Sequence, residues 1–125
     1  MSKEEKLPRK TEKPWGYELL FALTDKYAGK MLYVKQGHRL SLQYHEKKEE
    51  TLYIYEGKAL IEIEGENGEL VEYEMSNGDS FHLPPMTKHR MKAIEDTMFF
   101  EVSTPELDDV VRLDDDYGRK GTSKA

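Results

Sequence analysis

With 125 residues and no cysteine, the chain is long enough for one domain with its own core, and disulfides, thiolate metal sites and cysteine nucleophiles are excluded. It carries 25 acidic and 19 basic residues for a formal charge of −6, with no basic stripe interleaved with aromatics, so nucleic acid is not an expected partner. No apolar run approaches the ~20 residues of a membrane span, and the charged N-terminus lacks a secretory apolar stretch. A soluble, cytoplasmic chain without a membrane partner is expected. Charged residues make up 35% of the chain while Asn and Gln total four, a bias that resembles hyperthermophile proteins.

Residues 1–13 are polar, charged and without periodicity, and read as a flexible arm. Order is expected to begin near Pro14-Trp15-Gly16. From there the pattern predicts nine short strands, over residues 17–23, 29–35, 40–45, 51–55, 59–64, 70–75, 80–83, 89–94 and 98–103. Turn residues separate them, and Asn67-Gly68 is the strongest hairpin signal because both residues tolerate positive φ. In 59–64 the alternation sets Ala59, Ile61 and Ile63 on one face and Glu62 and Glu64 on the other. After Pro105, Leu107, Val110, Val111, Leu113 and Tyr117 lie among acidic residues. Either a short helix or a turn and a final strand would fit, and an irregular segment packed on the barrel is expected. Residues 120–125 read as a flexible tail. Many short, evenly spaced strands make the fold all-β: a sandwich, barrel or jelly roll.

Among the four histidines, His45 and His89 stand out. Gln43 and His45 are two residues apart in one expected strand and share a face. Glu50 opens the next strand across the charged turn Glu46-Lys47-Lys48-Glu49, and His89 follows the rigid Pro84-Pro85 turn. Two imidazoles, a carboxylate and an amide oxygen make a mixed nitrogen and oxygen donor set suited to one divalent Zn, Mn, Fe, Co or Ni ion. Taken singly, each residue is more often structural; their joint spacing with the glycines carries the assignment.

The run Gly37-His38-Arg39-Leu40-Ser41-Leu42-Gln43-Tyr44-His45-Glu46-Lys47-Lys48-Glu49-Glu50, followed by Gly57, resembles the first cupin motif, with Gln43 where the first His would be. Gly78-Asp79-Ser80-Phe81-His82-Leu83-Pro84-Pro85-Met86-Thr87-Lys88-His89 resembles the second, with Met86 replacing a Gly and Ala93 a closing Asn. Within the cupins, the run from Arg39 to His45 with Glu50 resembles the mannose-6-phosphate isomerase domain, which also forms the C-terminal part of bifunctional mannose-1-phosphate guanylyltransferases. Three more segments match it: Lys13-Pro14-Trp15-Gly16-Tyr17-Glu18; Lys88-His89-Arg90; and the closing Asp108-Asp109-Val110-Val111-Arg112 with Asp116-Tyr117-Gly118-Arg119. One departure is Glu46-Lys47-Lys48, where the family is often His-rich, and it bears on substrate preference.

The resemblance implies a single cupin jelly roll over residues 14–119, with one metal ion, zinc first, on Gln43, His45, Glu50 and His89. It also implies a small phosphorylated sugar as substrate and interconversion of mannose 6-phosphate and fructose 6-phosphate. That reaction moves a proton between C2 and C1 through an enediol. It needs a Lewis acid, a base and a cationic grip on phosphate. The resemblance points to Arg39 and Arg112 for substrate contact, with Lys88 beside the ligand His89 and Arg39 also a catalytic candidate. For the base, Lys35, Glu49 and His82 stay open. Two alternatives are a non-catalytic metal or sugar-binding module and, from the site chemistry of small cupins, a metal-dependent oxygenase. Finally, if Glu50 points inward, Thr51, Tyr53 and Tyr55 point outward by the period of two, and a homodimer through that face is expected.

Overall fold

The computed structural model describes residues 6–119 and 121–122. The runs of Val, Ile, Tyr and Phe, broken every few residues by Gly, Pro and Asn, give strands throughout and no helix among the described residues. No helix there is long and apolar enough to cross a membrane. In chain order the strands are β1 (Arg9–Lys13), β2 (Gly16–Leu23), β3 (Ala28–Val34), β4 (Leu42–Tyr44), β5 (Glu50–Glu56) and β6 (Lys58–Glu64). They continue with β7 (Leu70–Ser76), β8 (Ser80–Leu83), β9 (His89–Ala93), β10 (Thr97–Ser103), β11 (Val111–Asp114) and β12 (Gly121–Thr122).

Two six-stranded sheets result, ordered β1-β2-β3-β10-β5-β8 and β12-β11-β4-β9-β6-β7. Every pairing is antiparallel. Their inner faces meet as the two halves of a jelly roll. Phe99, Ile54, Ile61, Met75, Leu83 and Val34 are fully buried between them.

All nine expected strands are present, with ends displaced by a residue or two. Three strands were not expected. Residues 9–13, assigned above to an arm, form β1, which pairs with β2 through Lys10↔Leu19 and Glu12↔Tyr17. An edge strand needs no apolar alternation, and here the Lys10 ammonium lies 4.4 Å from the centre of the Tyr17 ring. The stretch after Pro105, expected to be irregular, contributes β11, which bonds to β4 with a register shift between Arg112 and Asp114. β12 falls within the expected tail; residues 1–5, 120 and 123–125 lie outside the described residues.

Two turns show why the motif residues matter. Gly57 sits at φ 119°, and a Cβ there would lie 2.5 Å from the Asp96 carbonyl oxygen, so only glycine fits. Met86, which replaces the motif glycine, takes φ 62°, a left-handed conformation costly for a side chain.

Candidate metal centre

Strand pairing brings the site together. Gln43 on β4 is flanked by His89 on β9 and by Arg112 on β11, so three inward side chains form one row across the second sheet. His45 follows β4 directly, and Glu50 opens β5 in the facing sheet. His45, Glu50 and His89 are all buried, and one potential ligand atom from each lies within 4.8 Å of the others. The two imidazole centroids are 5.3 Å apart.

Hydrogen bonding fixes both tautomers. His45 Nδ1 donates to the Asp109 carbonyl at 2.6 Å, and His89 Nδ1 donates to the Thr87 carbonyl at 2.9 Å. A carbonyl only accepts, so Nδ1 carries a proton in each ring, and in the neutral imidazole Nε2 then keeps its lone pair. His45 Nε2 lies 2.8 Å from Glu50 Oε2, yet neither atom has a hydrogen-bond partner among the described residues. Two buried lone pairs at that distance repel unless a positive charge joins them. The donor set therefore fits a divalent cation, and the carbonyl on each Nδ1 is the outer support typical of metal-ligating histidines.

The electrostatics agree. Burial opposes the Glu50 charge, but His45, Lys48 and His89 around it hold its pKa well below the usual carboxylate range. Burial also lowers the His89 pKa, which favours the neutral, ligating form. Lys48 is buried, with Nζ 2.9 Å from Glu101 Oε2 and 3.9 Å from Glu50 Oε2. Burial works against its charge, but the two carboxylates outweigh it and raise its pKa. Glu101 is pushed up by burial and by the Glu50 charge. The buried charges continue through Lys30, whose Nζ lies 3.1 Å from Glu18 Oε2.

A cavity of about 60 Å³ opens beside these groups. Its lining includes Gln43, His45, Lys48 and Glu101 together with Lys13, Arg112 and Arg119, while Glu50 and His89 line a neighbouring cavity with Gln43 and Glu101. Arg119 is held by Asp115 at 3.0 Å. Arg112 is buried, and its Nε has no hydrogen-bond partner among the described residues.

The cupin domain family model matches residues 30–103, which contain every proposed ligand. The chain belongs to the cupin family. It is 31% identical over 121 residues, 93% of its length, to mannose-1-phosphate guanylyltransferase of Escherichia coli. It spans only about a quarter (24%) of that relative's length. Among solved structures it is similar to KdgF from Halomonas sp., with TM-score 0.69 and 23% identity over 78% of this chain and 86% of that one. A variant of Bacillus subtilis oxalate decarboxylase OxdC gives TM-score 0.77 and 21% identity over 86% of this chain and 30% of that one. Both structural likenesses speak for the fold alone.

In this cupin the candidate residues are only partly gathered. Arg112 lies in the cavity. Arg39, expected to contact substrate, instead makes a two-pronged ion pair with Asp116 at 2.7 and 2.8 Å and is half-exposed outside it. Lys35 and Lys88 are exposed on turns, and Glu49 is exposed and paired with His82. None of these four lines the cavity that holds Gln43, His45 and Arg112.

Other residues do more than their sequence context indicated. Asp109 in the closing segment accepts backbone N–H bonds from Glu46, Lys47 and Lys48 at 3.0, 2.6 and 2.9 Å while its carbonyl orients His45. The charged turn is thus pinned by Asp109, and Lys48 is turned inward. Nothing in the sequence separates Asp109 from Asp108 beside it. Lys30 and Glu101 did leave a signal: Lys30 shares its inward face with Ala28, Leu32 and Val34, and Glu101 is the one charged residue on an inward face with Thr97, Phe99 and Ser103.

Proposed function

We propose that this cupin is a metal-dependent sugar-phosphate isomerase that interconverts mannose 6-phosphate and fructose 6-phosphate, with zinc the first candidate metal. The observation that carries the reading is one cavity lined by Gln43 and His45 of the donor set, by the buried Arg112, whose Nε has no partner among the described residues, and by the Glu101 carboxylate. The sequence resemblance to the mannose-6-phosphate isomerase domain supports the same substrate class.

The residue roles follow from position. Gln43, one strand from His89 and on the same inward face, is the fourth ligand; its Oε1 accepts from Ser41 Oγ at 2.5 Å, which fixes the amide. A bound divalent ion supplies Lewis acidity to the oxygens on C1 and C2. Arg112 binds the phosphate, with Lys13 and Arg119 adding positive charge in the same cavity. Glu101 is the base: it takes the proton from C2 and returns it to C1 while the O2 proton moves to O1. Its raised pKa suits a carboxyl that must both accept and donate. Glu101 thereby replaces Lys35 and Glu49, which lie outside the cavity.

The test is a coupled assay of the metal-reconstituted chain with mannose 6-phosphate, fructose 6-phosphate and glucose 6-phosphate. Turnover is expected with the first two, with Glu101→Gln losing kcat and Arg112→Gln chiefly raising KM. Absence of turnover with Zn, Mn, Co, Ni and Fe(II) alike would leave the non-catalytic binding module as the better reading.

A further inference from the structure

The closing segment brings two arginines to the cavity, and they are held in different ways. Arg112 stands on β11 between Gln43 of β4 and Gly121 of β12, so two ladders fix its backbone. Arg119 ends the loop of residues 115–119, which belongs to no strand. Backbone support there is slight: Gly118 N–H reaches the Asp115 carbonyl at 3.2 Å, the long end of the ordinary range. Side chains hold the loop together instead. The buried Asp115 carboxylate accepts from the Arg119 backbone N–H at 2.7 Å and from its guanidinium at 3.0 and 3.1 Å. The same guanidinium lies 5.7 Å from the centre of the Tyr117 ring. Arg119 is thus fixed relative to its own loop, and its place in the cavity depends on where that loop sits.

Two adjacent contacts set the position of the loop. Arg39 grips Asp116 through Nε at 2.7 Å and Nη2 at 2.8 Å. His38 Nδ1 lies 2.7 Å from the Tyr117 hydroxyl, and the two rings stack at 6.0 Å with 14° between their planes. The ground under these contacts is firm. Gly37 N–H donates to the Ala93 carbonyl at 2.8 Å, Ala93 N–H to the His38 carbonyl at 2.9 Å, and Leu40 N–H to the Met91 carbonyl at 2.9 Å, so His38 and Arg39 are tied to β9. An isolated exposed ion pair contributes little, but a two-pronged Arg–carboxylate pair also fixes geometry, and here a second contact sits beside it. None of these four side chains lines the cavity.

We propose that Arg39 and Asp116, with His38 and Tyr117, are positioning residues that latch residues 115–119 onto the turn beside β9 and thereby hold Arg119 in the cavity. The proposal rests on the isomerase reading for the role of Arg119 in gripping phosphate. It gives Arg39 a function without substrate contact. It also joins two signature segments, the run from Arg39 to His45 and the closing Asp116-Tyr117-Gly118-Arg119, into one device across 77 positions of sequence. The consequence is specific: loss of the latch acts as loss of Arg119 and spares Arg112 and the metal.

A double-mutant cycle on the full, metal-loaded chain tests this, read by calorimetric titration with inorganic phosphate and by amide hydrogen exchange at Arg119. Far-UV circular dichroism and bound-metal content are the folding controls. Arg119→Met is expected to weaken phosphate at least about fivefold. Arg39→Met and Asp116→Asn are each expected to match it and to lose exchange protection at the Arg119 N–H. Arg39→Met combined with Arg119→Met should be no weaker than either alone, whereas Arg39→Met combined with Arg112→Gln should be weaker than both single variants. Arg39→Lys, which keeps the charge, should recover part of the affinity. Lys58→Met, which breaks the similarly exposed pair with Glu74, should change nothing. With mannose 6-phosphate, Arg39→Met should raise KM and leave kcat within about twofold. Additive effects of Arg39→Met and Arg119→Met, or full protection of the Arg119 amide in Arg39→Met, would overturn the latch and leave the isomerase reading standing. So would phosphate binding that ignores Arg119. The cycle as expected but without turnover in wild type would remove the isomerase reading and leave the latch.

Discussion

The two ends of the barrel interior are built from the same strands, in the same alternation, yet they do opposite things. At one end β10 turns Glu101 inward, β5 Glu50, β9 His89 and β3 Lys30. One or two inward steps along, the same strands present Phe99, Leu52 and Ile54, Met91 and Ala93, and Leu32 and Val34. The apolar end is a close-packed core that holds the sheets together. The polar end trades packing for charges that are satisfied only by one another and by a cation. A barrel of this size can carry such a site because stability and chemistry are displaced along each strand rather than assigned to different strands.

That division has measurable consequences. The largest concerns the ligands: His89→Ala and His45→Ala are each expected to weaken metal binding by more than about 100-fold, a loss that even supporting residues can cause. Metal-free stability should fall by no more than about 3 kcal/mol, because each change removes one buried ring and leaves the apolar core in place. Calorimetric metal titration and denaturant unfolding report the two quantities separately. An unfolded His89→Ala chain would show that the polar end is structural. Phe99→Ala should do the reverse, costing about 3–5 kcal/mol in urea unfolding while the folded fraction binds metal normally.

Lys48→Met probes the boundary. Removing the one ammonium between Glu101 and Glu50 leaves two buried carboxylates without their cation, which should cost about 3 kcal/mol in the metal-free protein. Unchanged stability would mean that the pair is not a unit. The pH response follows from His89. Its folded pKa lies below the ordinary value near 6.5, so the unfolded chain binds the proton more readily. Its contribution to stability is complete above about pH 6.5 and is lost as pH falls toward the folded pKa. Glu50, held low, stays ionised through that window. Metal content measured after dialysis should therefore fall with a midpoint below about pH 6.5, and a midpoint near 8 would contradict the assignment. The smallest effect is at the second motif: Met86→Gly should stabilise the turn by about 1 kcal/mol, because glycine adopts φ 62° without strain. A destabilised variant would show that the exposed Met86 side chain makes a contact that matters.

Much of this was legible in the sequence. Alternation and turn residues located the nine central strands, and the spacing of Gln43, His45, Glu50 and His89 pointed to a shared site, in which His45, Glu50 and His89 do lie together. The parts that were missed have physical reasons. β1 is charged throughout and pairs on one side only, so it has no alternation to read. Arg39 was assigned to substrate contact on the family resemblance alone; it lies before β4, which begins at Leu42, and its guanidinium is taken by Asp116. Lys48 sits in a run of five charged residues, and only the pinning of that turn by Asp109, some sixty residues away, sends it inward. Glu101 could have been found, because a carboxylate at an inward position between Phe99 and Ser103 already departs from the core pattern.

The most direct test of the central claim is X-ray absorption at the metal edge of the zinc-reconstituted chain, combined with metal stoichiometry. The expected result is one ion per chain, bound only by nitrogen and oxygen, with two imidazoles in wild type and one in His45→Ala. Failure to retain a stoichiometric ion, or a wild-type spectrum with fewer than two imidazoles, would contradict the site built on His45, Glu50 and His89.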